Sequence, residues 1–238
     1  MLGLGTIINT AAIIVGGLFG LLFKNILSER MEDTLLKANG VCVLFIGIGG
    51  AMQHMLKISD GALETAGSMM LIICFVLGSI VGELLDLEGL FERFGAWLRK
   101  KTHNESDSCF LSAFIHATLT VCIGAMAIVG SIQDGMLGDS SLLCAKAALD
   151  AVIILVMTAS MGKGCIFSAI PVAVLQGSIT LLSRVIAPVM TDAVIANLSY
   201  TGSVLIFCVG LNLVWGKKIR VANMLPTLVF AALYALLF

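Results

Sequence analysis

Apolar runs of about 20 residues recur along the whole chain, each separated from the next by a short polar stretch. A run of that length crosses the hydrocarbon core of a bilayer as a helix. Outside closed β-barrels, only a helix satisfies its own backbone groups there. The runs fall at Leu2–Phe23, Ala38–Leu56, Gly67–Leu85, Cys109–Gln133, Ser141–Met161, Cys165–Ile186, Ala193–Trp215 and Val221–Phe238. With 59% hydrophobic and 12% charged residues, a chain of 238 residues cannot assemble the polar shell of a soluble domain. The first run has neither a basic segment before it nor a small-residue cleavage site after it, so it reads as a retained span. The expected fold class is all-α: a polytopic membrane helix bundle of about eight transmembrane helices.

Eleven of the fourteen Lys and Arg residues fall in the odd-numbered connections, from Lys24, Arg30 and Lys37 to Lys217, Lys218 and Arg220. Lys57, Lys146 and Arg184 are the exceptions. Basic loops stay on the cytoplasmic side, so this bias predicts both termini outside. In the third connection Leu84, Leu87, Phe91, Phe94 and Leu98 recur at three- and four-residue steps before Arg99-Lys100-Lys101. That pattern predicts an amphipathic helix on the inner membrane face, its basic end beside anionic lipid.

Two stretches repeat at an offset near 160 residues. Gly17–Leu22 aligns with Gly177–Leu182, and Gly40–Phe45 aligns with Gly202–Phe207, in the same order. This register matches spans 1–3 with spans 6–8. The shift of five spans is odd, so the copies run through the membrane in opposite senses, as inverted repeats of transporters and some channels do. The chain then divides into a first repeat (1–85), a cytoplasmic amphipathic segment (86–108), central spans (109–164) and a second repeat (165–238) within one transmembrane domain.

An ionisable residue at bilayer depth is expensive and marks a candidate site. Asp150 lies near the middle of the fifth span, one helical turn after Lys146, so the two can pair on one face. The fourth span ends in Gly124–Gly135, where Gly130, Ser131, Gln133 and Asp134 make a poor continuous helix and suggest a broken one. Asp134-Gly135 also reads as an external turn. The sixth span carries Pro171, expected to kink it, and then Gln176-Gly177-Ser178 near mid-depth. Asn9 and Thr10, His116 and Asn212 are lesser candidates, and Glu83 reads as interfacial. The Gly16/Gly20 and Gly78/Gly82 pairs have the spacing of close helix contacts. Solute or ion binding is thus expected of Asp150, Lys146, Gln176, Ser178, Gln133, Asp134, Ser131 and Asn9.

Several classes of function find no support. The seven Cys residues lie singly, without CxxC or metal spacing, so neither a metal nor another cofactor is expected. No HExxH, GxSxG or GxxxxGK[ST] motif is present, which argues against a hydrolase or an ATP-driven pump. A net charge of -1 without basic patches argues against nucleic acid.

Together, Gly5-Thr6-Ile7-Ile8-Asn9, Gly16-Gly17, Gly124–Gly135, Lys146 to Asp150 and Ser168–Ser178 resemble the YqgA/YdfK-like family of uncharacterised bacterial membrane proteins. The resemblance covers essentially the whole length and implies the bacterial inner membrane. It implies no site residues. The expected function is secondary transport of a small solute or ion, with a channel or a non-transporting scaffold as the alternatives. The expected partners are the lipid bilayer, the solute and, through the Gly-rich faces, further copies of the chain in a homo-oligomer.

Overall fold

The computed structural model describes residues 3–24, 28–59, 62–104, 107–123 and 125–237. In chain order the elements are α1 (Leu4–Lys24), α2 (Glu29–Met55), a ribbon of β1 (Leu56–Ser59) and β2 (Ala62–Thr65), then α3 (Ser68–Leu85) and α4 (Leu87–Lys101). The two halves of a bent span follow, α5 (Phe110–Cys122) and α6 (Ala125–Leu137), and then α7 (Ser141–Met161). A 3-10 segment, Lys163–Ser168, leads into α8 (Ala169–Leu181), followed by short α9 (Ser183–Ile186) and long α10 (Asp192–Trp215). A 3-10 turn at Val221–Met224 opens onto α11 (Pro226–Leu237). The protein is an all-α polytopic bundle. Among the described residues six helical spans are long and apolar enough to cross a membrane, and the bent pair makes a seventh. The eighth run, Val221–Leu237, is apolar but shorter. The ribbon, paired antiparallel with Ile58 opposite Leu63, was not foreseen in the sequence.

α5 is the central element. Ten of its thirteen residues are buried, all the way round the helix, as expected of a helix enclosed by others. The 3-10 segment, α7, α8, α10 and α4 pack about it. Glycine allows the closest approaches elsewhere. Gly16 and Gly20 of α1 lie against the backbone of α7 at Ala151 and Leu155, so the two helices run parallel. In α2 and α10, Gly40 meets Val214 and Gly47 meets Phe207, which is an antiparallel register. Gly78 and Gly82 of α3 meet Thr227 and Asn223, again antiparallel. Thr6 and Asn9 of α1 meet Thr180 and Gln176 of α8 in the same sense.

The basic connections gather at one end of the bundle. Lys24, Asp107 and Lys163 line one cleft there. Lys217 bridges Glu88 and Glu92 at 2.7 Å each, and Arg220 reaches Glu83 at 2.6 Å. Asn223 ties these clamps together, donating to Glu83 and accepting from the Glu88 amide. Partial burial opposes the Lys217 charge, but the hydrogen bonds to both carboxylates outweigh it and hold the ammonium above the usual lysine value. That contribution is fully present below the ordinary value of 10.5 and fades only as pH rises through the raised one.

Two sequence expectations are corrected here. The amphipathic helix begins at Leu87, after Asp86 in the left-handed region (φ 46°), so Leu84 belongs to α3. Gly95 and Leu98 of α4 face the bundle and the Phe94 ring packs on Phe114, while Leu90 and Trp97 face outward, so the helix is apolar on both sides. Pro171 does not kink a helix. It stands in the first turn of α8, where a missing N–H leaves no intrahelical bond unmade.

Candidate functional site

The bent span is where the site begins. α5 stops at Cys122, Ile123 is extended, and α6 sets off at 61° to α5. Gly124, at the break, lies outside the described residues. The last carbonyls of a helix lack intrahelical donors. Here the carbonyl of Val121 is taken by the Lys146 ammonium at 2.9 Å. The break therefore supplies a backbone oxygen inside the bundle, and a lysine from α7 uses it.

Lys146 also pairs with Asp150 at 2.5 Å, one turn along α7, with side chains only 9% and 5% exposed. Asp150 is the tenth residue of a helix of 21, about 14 Å from its start. A carboxylate can only accept hydrogen bonds, and this fixes the neighbours' orientations. Asn9 of α1 must turn its amide nitrogen toward Asp150, and Nδ2 donates to Oδ2 at 3.1 Å. The same nitrogen donates to Gln176 Oε1 of α8 at 3.3 Å. What is left over points away from the ion pair. Asn9 Oδ1, an acceptor, and Gln176 Nε2, a donor, are buried without a hydrogen-bond partner among the described residues. Buried polar groups are nearly always satisfied, so an unpaired acceptor and an unpaired donor on two bonded side chains are candidates for a ligand.

One turn outward, the hydroxyls of Thr6 and Thr180 lie 3.4 Å apart. Both line a cleft of about 490 Å³ at the end of the bundle opposite the basic connections, together with Gly3, Ile7, Gly135, Gly177, Leu181, Ser183 and Arg184. A second cleft, about 220 Å³, enters from the basic end between Glu88, Ser112, His116, Leu119, Asn212 and Lys217. Its deepest reach along α5 is at Leu119, two residues before Val121, and neither Lys146 nor Asp150 lines it.

The structure thus brings Asn9, Lys146, Asp150 and Gln176 together from three helices. Asp134 stands apart, next to Gly135 of the outer cleft's lining. It is fully buried inside α6, which runs unbroken through Gly130 to Leu137, so Asp134-Gly135 is not an external turn. Its Oδ2 accepts from the Gly5 amide at 2.9 Å, capping the first turn of α1. Three expected site residues lie elsewhere. Ser178 is exposed on the far side of α8 and bonds its own helix at Leu175. Ser131 is buried but donates to Ala127 of its own helix. Gln133 is half-buried and takes no part in this cluster.

The lesser candidates have local roles. Thr10 bonds back to Thr6, and Asn212 holds the 217–220 loop through Lys218 and Ile219. Two participants were missed by sequence reasoning: Thr180, and the carbonyl of Val121. The carbonyl belongs to an apolar residue, so the glycine beside the break was the only available signal.

The chain matches the family described as "Protein of unknown function (DUF554)" over residues 4–236. Among curated proteins it is 28% identical over 224 residues to "Uncharacterized membrane protein YdfK" of Bacillus subtilis (strain 168), covering 94% of this chain and 92% of that one. It is 28% identical over 235 residues to "Uncharacterized protein YqgA" of Escherichia coli (strain K12), covering 96% and 94%. No solved structure is a significant match.

Proposed function

We propose, from the premise that this chain belongs to the DUF554 family and is a multi-pass membrane protein, that it is a secondary transporter of a small polar solute. The observation that carries the reading is the unpaired amide couple of Asn9 and Gln176 beside a buried Lys146–Asp150 pair, at the break of a helix. Discontinuous helices near the midplane are where many transporters build their solute and ion sites. The pair is neutral as a whole, and the amides offer one acceptor and one donor. A neutral or zwitterionic solute suits this better than a bare ion, which would leave one member of the pair uncompensated.

Two further features support alternating access. The two clefts lie toward opposite ends of the bundle, and none of Asn9, Lys146, Asp150 and Gln176 lines either one. Spans 1, 2 and 3 meet spans 6, 7 and 8 antiparallel, each beside its own counterpart in the sequence register. That is the arrangement an inverted repeat takes about a pseudo-two-fold axis. With the basic end cytoplasmic, the larger cleft opens outward and both termini are outside the inner membrane. In a cysteine-free background, Lys57→Cys in the ribbon should react with a membrane-impermeant maleimide on intact cells, and Lys100→Cys in α4 only after permeabilisation. The reverse pattern would invert the assignment.

Uptake into proteoliposomes, screened over small neutral and zwitterionic solutes with and without ion gradients, tests the function. Gln176→Leu keeps the volume, removes the free donor and should cut saturable uptake by about tenfold or more. Its thermal stability should change little, since the lost bond to Asn9 is long at 3.3 Å. Full uptake by this variant would remove Gln176 from the site.

A further inference from the structure

We infer that Asp134 forms the anionic ligand of a small alkali-cation site, for Na+ in the first instance, behind the outer cleft. Asp134 is 0% exposed. Its Oδ2 is used by the Gly5 amide, and its Oδ1 has no partner among the described residues. No ion pair among the described residues includes it, although Arg184 lines the adjoining cleft. A buried carboxylate with a free oxygen calls for a cation or a proton.

The neighbouring segments bring oxygens to this end of α6. Gly135, the next residue, touches the Ser183 hydroxyl and the Thr180 carbonyl. That carbonyl is in the last turn of α8, where backbone oxygens run out of helical donors and the helix carries its negative end. The cap amide of Leu182 is directed at the Ser178 and Thr180 carbonyls, each of which keeps a second lone pair. The Thr6 hydroxyl follows Gly5 in the chain and meets that of Thr180. A carboxylate, a carbonyl at a helix C-terminus and hydroxyls from α1 and α9 are the hard donors that these neighbouring segments offer to a cation. Hard cations select such oxygens, and helix C-termini coordinate Na+ in transporters.

The site lies about one turn of α1 from Asn9, since Gly5 and Asn9 are four residues apart. A cation bound between α1, α6 and α8 would draw together the helices that hold Asn9 and Gln176. Its service as a coupling ion rests on the transport reading; binding itself does not.

The test is thermal unfolding of the purified full chain in detergent, titrated with NaCl against N-methyl-D-glucamine chloride at constant ionic strength and pH. Saturable stabilisation by Na+ is expected in the wild type. Asp134→Asn should lose it, Ser183→Ala should raise the half-saturating Na+ by about tenfold, and Glu92→Gln, at the basic end of the bundle, should keep it. If Asp134→Asn does not fold, Ser183→Ala decides alone. Equal curves in the two salts, or an unchanged Na+ response in Ser183→Ala, would overturn the site. A response to pH in place of Na+ would also overturn it, by making Asp134 a proton carrier. A Na+ response without uptake of any solute would sink the transport reading and leave the cation site standing, and uptake without a Na+ response would do the opposite.

Discussion

Asp150→Asn is expected to abolish uptake and to destabilise the protein, and the two effects are separable. The substitution removes the charge that neutralises Lys146, whose buried ammonium then has only neutral oxygens, the Val121 carbonyl and the new amide, to accept from it. Breaking a buried pair from one side typically costs about 3–5 kcal/mol, mostly as the penalty of the charge left behind. Replacing both partners by apolar residues of similar size removes that penalty. Lys146→Met with Asp150→Leu should therefore recover thermal stability to within about 1 kcal/mol of the wild type while uptake stays absent. Thermal unfolding and proteoliposome flux on the two variants measure both halves. Retained flux in the double variant would show that the pair only lets α7 sit in the bundle.

The second large effect is expected at glycines where one helix rests on another's backbone. A Cβ on Gly82 would collide with the Asn223 carbonyl, and one on Gly16 with the Ala151 carbonyl. Backbone atoms cannot swing aside as a flexible side chain can, so the helices would have to part. Overpacking of this kind costs about 1–3 kcal/mol or more, and tight van der Waals contact is a main source of helix association in lipid. Gly82→Ala and Gly16→Leu should each lose most of the monodisperse protein recovered in detergent. Gly49→Ala, where a Cβ meets nothing within 4 Å, should behave as wild type. A normal yield from Gly82→Ala would count against the packing of α3 on the Val221–Met224 turn.

Much of this architecture was legible because its causes are local. A run of apolar residues reports a span, and the Lys/Arg bias reports which connections share an end of the bundle. The Lys146–Asp150 pair was readable because four residues make one helical turn. The break in the fourth span was foreseen over Gly124–Gly135, yet α6 carries Gly130 without interruption. An isolated glycine weakens a helix by roughly 1 kcal/mol, and neighbours that pack closely on it outweigh that. Leu143 of α7 lies against Gly130, so the small residue serves contact there.

By itself, then, the sequence determined that this is a membrane helix bundle, where its spans run, and that a carboxylate pairs with a lysine at depth. Only the tertiary structure decided that Asn9 and Gln176 complete the site, that Ser178, two residues from Gln176, faces away from it, and that Asp134 lies inside a helix. The physical reason is the solvent. In water an amphipathic stripe announces a helix's inner face, but lipid and protein core are equally apolar, so an apolar span carries little record of which side turns inward. That choice is made by close packing and by buried hydrogen bonds between residues as far apart as 9 and 176, and no local pattern encodes either.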